Sequence, residues 1–288
     1  MPTLSQQHLQ EYQDKTFRRL PGLHLHSADE AVAYVNERGF IYFWPITGIH
    51  LPSLWTAAAG DRPVADQHDD PGHVTWGWKD GMLGQRRWYY AKVLRKKATL
   101  ISLEFAPHFY ALSENYGSPE EDYLTLYEQG RLTQEARQVY ETLLQEGPLD
   151  TVALRKAARL TSRESDSRFN RAITDLQADF KVMPIGVARA GAWNYAFIYE
   201  ITARYHPELL DQAQQIGENQ ARQTLAELYF RSMGAATQRD LIRLFGWRPA
   251  QAVRSVDALV QTGVMVDGVE VEGQSGEHIV LAELLSKR

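Results

Sequence analysis

The stretch GQRRWYYAKVLRKK, residues 84–97, carries Arg86, Arg87, Lys92, Arg95, Lys96 and Lys97 and no acid. Residues 151–171 carry Arg155, Lys156, Arg159, Arg163, Arg168 and Arg171 against Glu164 and Asp166. Clustered arginine and lysine can neutralise phosphates and release their counterions, and arginine can pair bidentately with guanine edges. The net charge of −5 weighs mildly against nucleic-acid binding, but the acids gather elsewhere, notably in residues 114–146. Each basic run could also be a plain solvated face.

Aromatic residues are interleaved with the first run: Trp76, Trp78, Trp88, Tyr89 and Tyr90. Rings beside cationic side chains can stack bases, or they can simply fill a core. His68, Asp69, Asp70 and His73 imitate a metal cluster, but the Pro71-Gly72 turn among them reads as an exposed loop, and no metal or cofactor is expected. The chain has no cysteine, which removes zinc fingers, disulfides and thiol nucleophiles. It has no glycine-rich phosphate loop and no GxSxG elbow. No apolar run reaches the ~20 residues of a membrane helix, and the polar N-terminus lacks a signal peptide core. A cytoplasmic, monomeric protein is the expectation.

Such residues need elements to hold them, and the second half repeats one order of elements. TQEARQVYETLLQEG puts Ala136, Val139, Tyr140 and Leu143 at helical spacing, and Gly147-Pro148 closes it. DTVALRKAARL follows with Asp150 or Thr151 as N-cap, then SRFNRAITDLQADF with Phe169, Ile173 and Leu176 on one face. KVMPIGVARAGAWNYAFIYEI then alternates about Ala190-Gly191 as a hairpin. GENQARQTLAELYFRSMG, ATQRDLIRLFG and RPAQAVRSVDALVQTG repeat the three helices. VMVDGVEVEG predicts a second wing turning at Asp267-Gly268. Three helices and a two-stranded wing are the winged helix-turn-helix plan, whose third helix enters the major groove. On that plan Arg163, Arg168, Arg171 and Lys181 flank or face one third helix. Arg248, Gln251 and Arg254 do so on the other. Such units can also serve protein contacts alone.

The first half is less regular. SADEAVAYVNERG reads as a helix from a Ser27 cap to Gly39, FIYFWPI as an aromatic strand, and LPSLWTAAAG as a short helix. The predicted fold class is therefore α+β, mainly α, with three tandem winged helix-turn-helix units. An N-terminal arm spans 1–27, read as a short amphipathic helix or a loose segment. An aromatic-rich winged-helix-like unit spans 28–130, and winged helices span 131–202 and 217–288.

NERGFIYFWPI followed by winged-helix units resembles the AlkZ and YcaQ superfamily of bacterial DNA glycosylases. LPSLW, TWGWKD and FYALSENYG resemble its divergent AlkZ-related branch. The resemblance runs over about residues 28–285. It implies a double-stranded DNA partner and a monofunctional hydrolysis of the N-glycosidic bond of alkylated or crosslinked bases. The family's catalytic Gln-apolar-Gln or Gln-apolar-Asp aligns with Tyr42-Phe43-Trp44. Neither Tyr42 nor Trp44 can act as a carboxylate base, although Tyr42 could orient a water. Either catalysis has moved, with Asp69, Asp70, Asp80 and Glu104 the nearby carboxylates, or DNA binding remains without it. A non-enzymatic winged-helix regulator, dimeric on a palindrome, is the alternative.

Overall fold

Side-chain caps set the starts of several helices, and glycines in the left-handed region set several ends. The computed structural model describes residues 2–191 and 193–285. Strand β1 (Thr3–Leu4) and helix α1 (Gln6–Thr16) come first. Three blocks follow, each running helix, strand, helix, helix, strand, strand. In the first, α2 (Ala28–Arg38) leads to β2 (Phe40–Tyr42), α3 (Leu54–Ala59), α4 (Val74–Leu83), β3 (Tyr89–Lys92) and β4 (Ala98–Ile101). The short helices α5 (Ala106–Tyr110) and α6 (Asp122–Glu128) connect it to the second.

The second block runs α7 (Gln134–Glu146), β5 (Leu149–Asp150), α8 (Thr151–Ala157), α9 (Asp166–Ala178), β6 (Val182–Ala188) and β7 (Ala196–Ile201). Asp150 is its N-cap residue, accepting the amides of Val152 at 2.8 Å and Ala153 at 3.0 Å. After α10 (Thr202–Tyr205) and α11 (Glu208–Gln214), the third block runs α12 (Glu218–Met233), β8 (Ala235–Ala236), α13 (Gln238–Phe245), α14 (Pro249–Gln261), β9 (Met265–Val271) and β10 (Glu277–Leu281). A short helix, α15 (Ala282–Leu285), closes the described chain. Thr237 and Asp240 form a reciprocal capping box at α13, and Gly246 ends that helix at φ 71°.

The sheets obey one rule. In each block the short first strand pairs with the third strand and the second lies beyond it, giving orders β2-β4-β3, β5-β7-β6 and β8-β10-β9. In the third block β1 adds in parallel, Thr3 opposite Glu270 and Leu4 opposite Val271. The third sheet corrects one sequence expectation, the place of the second turn, and decides another, since the N-terminal segment is the helix of the two alternatives. Asp267-Gly268 lies inside β9, and the chain turns instead between Val271 and Glu277. The N-terminal segment is no loose arm. Tyr12 donates to the Arg231 carbonyl at 2.7 Å, Thr16 to that of Ser232 at 2.8 Å, and Leu9 and Phe17 are buried.

The core has three clusters. One fills the second block around Leu143, Phe169 and Leu176. One lies under the first block around Val35, Ile41 and Trp88. The largest joins the first block to the third through Phe40, Tyr42, Leu225 and Tyr229. Gly39 marks how close those two come: a Cβ there would lie 2.7 Å from the Leu228 side chain.

Candidate nucleic-acid interface and active-site positions

Alternation along β2 sends Phe40 and Tyr42 to the large shared cluster and Ile41 and Phe43 to the first-block cluster. The strand ends at Tyr42 and the chain bends at Phe43 and Trp44. Trp44 therefore packs with Phe43 and Trp76, on the side away from Tyr42. The two positions expected to act as a pair thus belong to different clusters. Tyr42 is fully buried, and its hydroxyl makes one long contact, 3.4 Å to the Leu94 carbonyl. Burial pushes that hydroxyl's pKa up, so it stays neutral. Trp44 is half-buried, and its indole N–H is buried without a partner among the described residues.

The candidate carboxylates differ sharply. Asp70 is committed: Arg62 binds both of its oxygens, at 2.5 and 3.0 Å, and the Gly72 amide donates at 2.8 Å. The Arg62 guanidinium, then that amide, hold the carboxyl below the usual range. The pair clips the loop after α3 and seats Arg62 over the Trp55 ring. Asp69 and Glu104 are exposed. His73 bonds the Ala65 carbonyl at 2.9 Å. Among the described residues no group of three or more His, Asp or Glu side chains could hold a metal ion.

Asp80 sits in a built environment. It accepts from Lys79 Nζ at 2.9 Å and from the Tyr195 hydroxyl at 3.0 Å, with its side chain 24% exposed. Lys79 is 4% exposed and also donates to Tyr195 at 3.1 Å. Five rings surround its ammonium: Phe43, Trp76, Tyr90, Tyr195 and Phe197, at 4.7–5.7 Å. Burial lowers the Lys79 pKa, and the Asp80 bond opposes that shift. The cluster ties α4 of the first block to the hairpin of the second, whose Trp193 near the tip is 89% exposed. A carboxylate with two fixed donors and a solvent-facing edge can hold a water or face a developing positive charge. The sequence reading missed Lys79, although Thr75, Lys79 and Leu83 share the buried face of α4 at helical spacing.

The basic residues are brought together selectively. The turn Leu94–Lys96 lies against α9. Lys92 Nζ reaches Thr174 Oγ1 at 3.4 Å, its amide donates to Gln177 at 3.1 Å, and Lys96 pairs with Asp175 at 2.5 Å. Arg163 and Arg171 are exposed, at the start and on the outer face of α9, without an ion pair among the described residues. Arg168 meets Glu135 at 3.1 Å in an exposed pair of little strength. One basic strip thus runs along α9 and onto the turn with Arg95. Arg86 and Arg87 stand apart, over the Tyr205 ring and against Asp29. Arg248 is the residue before α14, and Arg254 lies on that helix and bonds Asn219 at 3.3 Å.

One expected contact is corrected, that of Lys181, and Gln251 has a structural role. Lys181 is buried and spends its ammonium on the Glu114 carbonyl at 2.7 Å, Asn115 at 2.9 Å and Asp179 at 3.2 Å. It follows α9, where the chain turns inward into β6, so its charge staples the connector between the first two blocks. Gln251 uses its side-chain oxygen to accept the Arg248 amide at 3.0 Å and cap α14.

A sequence model of the family described as AlkZ related matches residues 25–246. The fold is similar to that of the Streptomyces sahachiroi DNA glycosylase AlkZ, with a TM-score of 0.59 and 14% identity, over 99% of this chain and 73% of that one. No curated protein sequence matches the chain. Among the described residues no helix is long and apolar enough to cross a membrane. With its family pattern spanning most of its length and the AlkZ fold throughout, the chain belongs to the AlkZ-related family.

Proposed function

We propose that this chain is a double-stranded DNA-binding protein of a DNA-repair lineage, built from three winged-helix units. The repeated element order and the shared strand order support the three units. The observation that carries DNA binding is the strip formed by Arg163 just before α9, by Arg168 and Arg171 on it, and by Lys92 and Arg95 at the turn packed beside it. In a winged helix the third helix meets the groove, and here α9 is that helix. Helix α4 holds the same place in the first unit but packs against β6, so it braces the hairpin of the second unit. The family match favours repair over transcriptional regulation. Three units in one chain supply what a regulator obtains by dimerising, so the protein acts as a monomer.

A second reading rests on Asp80. If base excision persists in this branch, Asp80 is the carboxylate placed to support it, because Tyr42 is buried and Trp44 has turned away. One titration tests both readings: alkylated and unmodified duplexes across 50–200 mM salt, with free base measured alongside. Affinity should fall steeply with salt. Arg171→Ala should weaken all sequences alike and reduce the slope of log K against log salt by about 0.9. Affinity indifferent to salt rejects DNA binding. Base release that survives Asp80→Asn rejects the second reading.

A further inference from the structure

The three blocks meet around a cleft of about 560 Å³. The turn after β3 forms one side, the end of α9 a second, and the corner between α13 and α14 a third. We propose that this cleft receives one unpaired nucleotide of the bound DNA, its base on the Trp247 ring and its phosphate on Arg95. The proposal rests on the DNA-binding reading and adds where a base leaving the stack would go.

The cleft carries both chemistries that a nucleotide needs. Trp247 is half-buried and stacks on Phe245, with centroids 4.3 Å apart and planes 11° apart, so its ring is held flat from behind. The cations come from a turn in which Arg95 at φ 53° and Lys96 at φ 58° both lie in the left-handed region. Non-glycine residues adopt that conformation at a cost; Lys96 turns onto Asp175 at 2.5 Å, and Arg95 is exposed without an ion pair among the described residues. Deeper in, Arg222 is 11% exposed and bonds Glu218 at 2.9 Å, while its Nε is buried without a partner among the described residues. Among the described residues lining the cleft the one carboxylate, Asp179, already meets Lys181 at 3.2 Å. The volume suits one nucleotide and excludes a duplex. The cleft also continues the basic strip, since Arg95 belongs to both.

The test compares a perfect duplex with one carrying a single extrahelical 2-aminopurine. Wild-type protein should bind the bulged duplex on the order of tenfold more tightly, the size of one base stack, and should quench its fluorescence. Trp247→Leu should abolish the preference and the quenching while leaving perfect-duplex affinity within about twofold. Trp247→Phe keeps a ring and should retain much of both, which separates stacking from loss of fold. Equal wild-type affinity for the two duplexes, or a preference that survives Trp247→Leu, overturns the cleft proposal and leaves duplex binding standing. Failure to bind the perfect duplex overturns the DNA-binding reading instead. A bulged duplex that still binds through Trp247 would then support the cleft alone. Binding of neither duplex rejects both.

Discussion

Tyr42 occupies the place where the resemblance calls for a glutamine, and its surroundings explain why a ring stands there. It lies among Phe40, Ile101 and Leu94 in the cluster shared by the first and third blocks, with one long hydrogen bond. Restoring the polar residue, Tyr42→Gln, would bury an amide with too few partners. It should destabilise the protein by roughly 2–4 kcal/mol in urea unfolding and restore no base release. His206 makes a second residue-scale case. It is fully buried between the Tyr89 and Tyr205 rings, bonded to Glu208 at 2.8 Å and near Arg86. Burial lowers its pKa from the ordinary 6.5, against the pull of Glu208. The unfolded chain therefore takes up the proton first as pH falls. Stability should be complete above 6.5 and decline below it, by up to about 1.4 kcal/mol per pH unit until the folded-state pKa is passed. His206→Asn should flatten that slope in unfolding curves measured between about pH 5 and 7.

At the scale of elements, the joint between α2 and β2 decides how the first block meets the third. Gly39 ends α2 at φ 78° and lies under the Leu228 side chain of α12. Gly39→Ala would strain the backbone and push the two helices apart. A loss of about 1–3 kcal/mol in unfolding free energy is expected, where alanine at an ordinary helix end costs a few tenths. Helices were the most legible elements, because their caps are local: Ser27 and Asp150 accept the backbone amides their positions implied. The second wing was less legible. Asp-Gly is a strong local turn signal, but β10 pairs His278 with Val269 and Glu277 with Glu270, and β1 adds on the other edge, so β9 runs on through Gly268.

At the scale of the whole molecule, the N-terminal segment and the third block fold as one. Strand β1 borders β9, and α1 covers the end of α12 with Leu9, Tyr12 and Thr16. Deleting residues 1–16 should lower the melting temperature by on the order of 5–15 °C, read by circular dichroism. Tryptophan fluorescence should report the same midpoint, because one core cluster spans the first and third blocks. Separate transitions for the two probes would show that the blocks unfold independently.

By itself the sequence determined the helices, the repeat in the second half and the two basic runs, since caps, apolar periodicity and charge clustering are local properties. The family resemblance was legible too, and the match over residues 25–246 bears it out. Only the tertiary structure decided which charges share a surface. It set Lys92 and Lys96 against α9, buried Lys181 as a staple, and closed Lys79, Asp80 and Tyr195 into one cluster from distant segments. It also parted Tyr42 from Trp44, because a bend after β2 breaks the alternation on which any pairing of those positions depends.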